Sequence, residues 1–420
     1  MKDARMKFEC STFEEAKNKA ADDAASSFSL ALQVITFSQA GRTCYSTSLP
    51  LSKLRDLIKF DSAERGDTTP EKKTNRPVMP DHVRNIKEYL LQEDQYILPS
   101  ITLNVRDELR CYTYATTAAT RAAILIIPAG TQFYVTDGQH RLRAIHEAIQ
   151  EKPELANDAV SVMIVEEVEI DRIHQDFADC AQTKAIPPSL LTLYNYRDEL
   201  SHLTRCIAEE VEYFQGRIEK VGKTVAKNSQ NIYTLNQLRV SIAELLTGDA
   251  SANSATLRKR CSELLQRQSD HDSWFARVSD FYNQLAESIS EWRQIVDANS
   301  GGAAVDMSDL RYKYIHLTGT GLTIIGRVGH EILRITNPTL KRQKIAELGT
   351  KINWSRDTAE GRAFWDGSIL TRDGGLLTSK APMTEAVIRV KKELGLDLND
   401  RERNYAAEAT QMAAQAAPAS

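Results

Sequence analysis

Residues 136–144 read Thr-Asp-Gly-Gln-His-Arg-Leu-Arg-Ala, and they place a carboxylate, a glycine, an amide, an imidazole and two guanidinium groups side by side. Upstream, residues 132–135 carry aromatic and β-branched side chains and predict a strand. Downstream, Leu142, Ile145 and Ile149 recur at helical spacing and predict one apolar helix face. Asp137 and Gly138 therefore fall at a strand-to-helix joint. The first turn of a helix exposes unpaired amide N–H groups and the positive end of its dipole. Arg141 and Arg143 add charge-assisted donors, so the joint has the chemistry of a phosphate grip. A plainer reading is that Asp-Gly makes a turn, Asp137 caps the helix and the arginines solvate it. The whole string, with Gln139 and His140 inside it and a strand before it, favours the ligand reading.

Hydrolysis of a nucleotide would need phosphate donors, a magnesium carboxylate and a group that orients water. Arg141, Arg143 and Lys184 are candidate donors, Asp137 or Asp179 a candidate metal ligand, and Gln139 or His140 the candidate water-positioning group. No Walker glycine loop accompanies them. His140 serves equally well to fix the turn, and Lys184 as a loop lysine, so phosphate binding is expected above turnover. The residues fix no catalytic group; a nucleoside triphosphate with magnesium is the one cofactor they leave open. Glu166, Glu167 and Glu169 read as exposed carboxylates at a strand end. Gly319, Gly321, Gly326 and Gly329 lack the lysine and strand of a phosphate loop and predict close helix packing. The six cysteines are scattered, without a C-x-x-C pair or zinc spacing, so free thiols and no bound metal are expected.

At 420 residues the chain is long enough for two cores, and 42% hydrophobic with 26% charged residues is ordinary globular composition. No apolar run approaches the roughly 18 residues of a membrane span, and the polar N-terminus lacks a signal core, which predicts a cytoplasmic protein. Residues 1–26 read as a polar segment and residues 27–188 as a mixed α/β domain. Within it, strands are predicted at 28–37, 101–105, 110–114, 122–127, 131–136 and 159–168, helices at 51–60 and 80–92, and a loop at 61–80. Residues 189–405 read as a helical domain with runs at 190–213, 234–246, 255–266, 274–296 and 322–335. The alanine-rich residues 406–420 read as a disordered tail.

A net charge of −4 excludes a uniformly positive surface but not a local basic patch. Arg217, Lys220, Lys223, Lys227, Arg239, Arg258, Lys259 and Arg260 outnumber Glu212, Glu219, Glu244 and Asp249, with Tyr213, Phe214 and Tyr233 interleaved. Such residues predict contacts to DNA phosphates, with helix 234–246 as the candidate for entering the major groove.

Asp137-Gly138-Gln139-His140-Arg141 is similar to the signature of the DGQHR-domain proteins, and the wider pattern resembles the DndB family of bacterial DNA phosphorothioation systems. Supporting segments are Arg76-Pro77, His82-Val83, residues 86–90 and 97–100, Phe177-Ala178-Asp179 with Lys184, Ile352-Asn353-Trp354 and residues 364–367. The resemblance implies an α+β protein: a ParB/sulfiredoxin-like N-terminal domain holding phosphates at the motif, then a mainly helical C-terminal domain. It also implies a DNA-binding repressor of the operon for the sulfur-modification enzymes, with double-stranded promoter DNA and other DNA-modification proteins as partners. By analogy with repressors generally, the protein would act as a homodimer. An NTP-hydrolysing accessory factor and a scaffold are the alternatives. One departure is that Asp179-Cys180-Ala181-Gln182-Thr183 lacks the expected Asn, which counts against metal-linked nucleotide chemistry.

Overall fold

The computed structural model describes residues 7–59, 78–181, 186–248 and 254–416. The loop expected at 61–80 falls almost wholly outside these residues, as do Arg76-Pro77, Lys184 and Asp249. The chain divides into two compact units, Met1–Lys184 and Ala185–Ser420.

The first unit is built on strands β1 (Lys7–Cys10), β2 (Leu30–Gln39), β3 (Arg42–Pro50), β4 (Ile58–Lys59), β5 (Ile101–Val105), β6 (Arg110–Tyr114), β7 (Arg121–Ile127), β8 (Phe133–Asp137) and β9 (Ala159–Glu166). They form one mixed sheet in the order β1-β6-β7-β2-β3-β9-β5-β8-β4. The β1/β6, β5/β9 and β4/β8 pairs are parallel and the others antiparallel. Helices α1 (Phe13–Ser26), α2 (Leu51–Leu57), α3 (Pro80–Gln92), α4 (Gln139–Glu151) and α5 (Ile170–Ala181) complete the unit. The alternation in β9 buries Val160, Val162 and Ile164, which join Leu103, Val135, Leu142 and Ile145 in the core between sheet and helices.

Strand β3 is too polar to announce itself in sequence. It is set by a two-residue hairpin in which Ala40 and Gly41 both have positive φ, the geometry that matches strand twist, and it is then held on both sides by β2 and β9. The polar N-terminal segment supplies β1 and α1, whose Ala16 and Ala20 are buried with Tyr112, Ile124 and Ile126.

The second unit contains α6 (Pro188–Tyr194), α7 (Glu199–Glu210), α8 (Leu235–Thr247), α9 (Ser254–Leu264), α10 (Gln268–Ser288), α11 (Ser290–Asn299), α12 (Met307–Lys313), α13 (Gly319–Arg334), α14 (Pro338–Thr350), α15 (Ala359–Trp365), α16 (Lys380–Glu393) and α17 (Asp400–Ala416). A two-stranded parallel piece, β10 (Ile218–Glu219) and β11 (Tyr233–Thr234), precedes α8. The mixed α+β class, with the sheet first and helices after, is thus the observed one. Two differences in detail have simple causes. The run at 274–296 breaks at Ile289, which takes an extended backbone between α10 and α11. The tail expected to be disordered from 406 is helix through Ala416, in keeping with the helix propensity of alanine.

The centre of the helical unit is the crossing of α8 and α13. A Cβ at Gly326 would lie 2.3 Å from the Ser241 carbonyl oxygen, and one at Gly329 would lie 2.5 Å from Leu245 and 2.6 Å from Phe281. The glycines therefore set helix contact, as their spacing predicts. Ser241 Oγ donates to the Leu322 carbonyl at 2.6 Å across the same interface and is bonded to the Tyr282 hydroxyl of α10 at 2.9 Å. Replacing Gly326 by Ala is expected to cost about 1–3 kcal/mol through overpacking against backbone. A lowered urea midpoint with unchanged m-value is the measurement that checks it.

Candidate functional site

Strand β8 ends at Asp137, and α4 begins just beyond the next residue. Gly138 makes the turn in the left-handed region, at φ 106°. A Cβ there would meet the Arg141 guanidinium at 3.1 Å and Ile101 at 3.2 Å, so both backbone and space call for glycine. Arg141 Nη2 donates to Asp137 Oδ2 at 2.6 Å, while the buried Nε of Arg141 has no hydrogen-bond partner. Gln139 and His140 are buried. The Met79 backbone N–H donates to His140 Nε2 at 3.0 Å, which fastens the start of α3 to the first turn of α4, and the His82 ring lies edge-on at 5.5 Å. That bond occupies the Nε2 lone pair, so His140 positions the turn and is not placed to take a proton through that nitrogen.

These residues, with Ile86, Thr136 and Phe177, line a cleft of about 170 Å³. Pockets for drug-sized ligands run from about 300 to 1,000 Å³. The cleft is therefore small beside such pockets. Its lining includes the first residues of α4 and the Arg141 side chain.

Arg143 is not part of it. Residues two apart on a helix face different ways; Arg143 is paired with Glu147 at 2.9 Å and borders a separate groove with Leu51, Leu54 and Ile145. The expectation of two converging arginines is thus corrected to one. Lys184 lies outside the described residues. The magnesium reading is not supported by the donors present, because Asp137 is committed to Arg141 and Asp179 accepts from Gln175 at 2.8 Å. Partial burial and the charges of Asp137, Asp176 and Asp179 raise the pKa of the neighbouring Cys180 thiol, which disfavours a reactive thiolate.

The glutamates expected to be exposed at the strand end are, for two of the three, buried. Glu166 accepts from the Tyr45 hydroxyl at 3.1 Å. Glu167 accepts from the backbone N–H of Val168 and Glu169 at 3.0 and 3.1 Å and lies 3.7 Å from Arg42 and 3.6 Å from Arg172. Arg42 in turn makes a fork to both oxygens of Asp176, each at 2.8 Å. This network anchors α5 to β3 and so sets where Phe177 meets the cleft. Its signal in sequence is a glutamate pair directly continuing an apolar strand; the arginine that compensates it is distant in the chain.

The structure sorts the basic residues of the helical unit by availability. Arg239 is paired with Asp198 at 2.9 Å, Lys220 with Glu209 at 3.2 Å, and Arg217 donates to Asn299 at 2.7 Å and to Gln230 at 3.3 Å. Lys223, Lys227 and Lys259 are exposed, Arg260 is exposed but already engaged, and the Arg258 side chain is outside the described residues. Tyr213, Phe214 and Tyr233 are fully buried, with Tyr213 stacked on Trp292 at 3.8 Å, so they offer no stacking platform to DNA. Helix α8 buries Leu238, Ser241, Ile242 and Leu245 against α13 and other core elements. It is a core helix, and the expectation that it enters a major groove is corrected accordingly.

The family described as DndB, DNA-sulfur modification-associated, matches residues 32–397 of the chain. No curated protein and no solved structure matches it.

The turn makes a sharp prediction. Gly138→Ala combines an unfavourable φ with contacts at 3.1 and 3.2 Å, so it is expected to cost about 1–3 kcal/mol in a denaturant titration. Gly130→Ala, also at positive φ but with open space around the added carbon, is expected to cost less. Equal destabilisation by the two would remove the crowding argument.

Proposed function

The chain belongs to the DndB family of DNA-sulfur modification-associated proteins, and from that premise we propose that it is a DNA-binding regulator whose DGQHR turn holds a phosphate group. It binds double-stranded promoter DNA of its own operon in the cytoplasm, represses that operon as a homodimer, and meets other DNA-modification proteins there. The observation that carries the reading is the joint at Gly138, where the first turn of α4 and Arg141, whose buried Nε has no hydrogen-bond partner, line a small cleft. The pairing of Asp137 with Arg141 supports binding over nucleotide turnover.

Arg141→Gln removes the charged fork. It is expected to weaken binding of ATP, GTP or CTP, whichever the wild type binds, at least tenfold by calorimetry, equivalent to about 1.4 kcal/mol. Wild-type affinity in the variant, or no binding of any of these or of inorganic phosphate by the wild type, would remove the phosphate site.

The exposed lysines make a separate prediction for DNA. Every lysine that neutralises a DNA phosphate should add about 0.9 to the steepness with which log affinity falls against log salt. Replacing Lys223, Lys227 and Lys259 by Glu is therefore expected to weaken promoter binding and to flatten that slope by up to about 2.7, measured by fluorescence anisotropy over a salt series. An unchanged slope would place the DNA surface elsewhere.

A further inference from the structure

Three side chains that chain spacing keeps apart meet in the helical unit. His202 and Cys206 sit one turn apart on α7, and His271 comes from the first half of α10. Their ligating atoms all lie within 4.8 Å of one another. The two imidazole rings are stacked at 4.4 Å with an angle of 22° between planes. His271 is only 4% exposed, and its Nε2 has no hydrogen-bond partner. A buried polar nitrogen left unsatisfied is destabilising, and this one belongs to an imidazole packed beside a second imidazole and a thiol. A bound cation accounts for all three groups at once.

The structure assigns His202, Cys206 and His271 to a divalent-metal site of the zinc class. One thiolate with two neutral imidazoles is a borderline-soft donor set that suits zinc and disfavours magnesium or calcium, which take oxygen. Around a tetrahedral zinc ion such ligands stand roughly 3.3–3.6 Å apart, so a closure of about 1 Å by side-chain rotation completes the shell. The fourth position falls to water or to the exposed carboxylate of Glu199, which lies one turn before His202 on the same face of α7. Binding releases the Cys206 proton to solvent, and the metal then ties α7 to α10. The sequence shows only half of this site, as His-x-x-x-Cys on one helix, because the third ligand belongs to another element.

The test uses the full-length chain, stripped with a chelator and titrated with cobalt(II) as a spectroscopic probe, then with zinc in competition. The expected result is uptake of one cobalt ion per chain, with tetrahedral visible bands and a thiolate-to-metal charge-transfer band that zinc abolishes. Thermal unfolding should shift upward with metal. Cys206→Ser should abolish the charge-transfer band while keeping its circular dichroism, and His202→Gln should weaken zinc binding at least tenfold. Cys180→Ser, at an exposed cysteine on α5, should behave as wild type. No stoichiometric cobalt uptake by the wild type, or a charge-transfer band that survives Cys206→Ser, overturns the assignment. Should Cys206→Ser fail to fold, His202→Gln at the half-buried ligand decides the question alone.

Discussion

The sheet unit depends on a chain reversal made at a single residue. Strand β8 is paired on one side with β5 and on the other with β4, and α4 must leave its end without opening either ladder. Glycine at 138 permits this because it reaches a left-handed backbone and leaves room for the guanidinium of Arg141. The tightness of that turn has three consequences together. The last strand residue, Asp137, is brought onto Arg141; His140 is turned inward to receive the Met79 N–H; and the first residues of α4 line the cleft. The strand-to-helix joint and the shape of the cleft beside it are thus products of one backbone conformation.

Charge is used differently in the two units. In the sheet unit, the Arg42–Asp176 fork and the buried Glu167 hold a helix in place beside the cleft. In the helical unit, Arg327 is buried against Glu244 at 3.2 Å, joining the α13 and α8 pair already locked by glycine contact. Such pairs specify geometry more than they add stability, since desolvation opposes the attraction. Exposed basic residues elsewhere, such as Lys223 and Lys227, are not held in the interior in this way.

Much of this is legible in the residues. Helix α3 and strands β5 and β6 fall where periodicity places them, because each carries its own apolar pattern. The strand–turn–helix joint is readable from Asp-Gly between an aromatic strand and a 3.6-residue repeat, and the α13 glycines from their helical spacing. What escapes reading depends on distant partners. Strand β3 owes its place to neighbours on both sides, Glu166 and Glu167 are buried because of Tyr45 and Arg42, and His271 meets His202 only after α7 and α10 pack. The basic run around 217–260 looks uniform in sequence; tertiary pairing divides it into paired residues such as Arg239, Arg217 and Lys220 and exposed lysines such as Lys223 and Lys227.

The ammonium of Lys391, on α16, is 1% exposed and sits 2.8 Å from Glu402 on α17 and 3.6 Å from Glu331 on α13. During synthesis the N-terminal portions of a chain emerge and fold first. Lys391 therefore leaves the ribosome ahead of its principal counter-ion, and seating it in the core without Glu402 would bury a poorly compensated cation at a cost of several kcal/mol. Full compensation of the Lys391 charge thus comes only when α17 is packed against α16, which ties the seating of α16 in the core to the presence of α17.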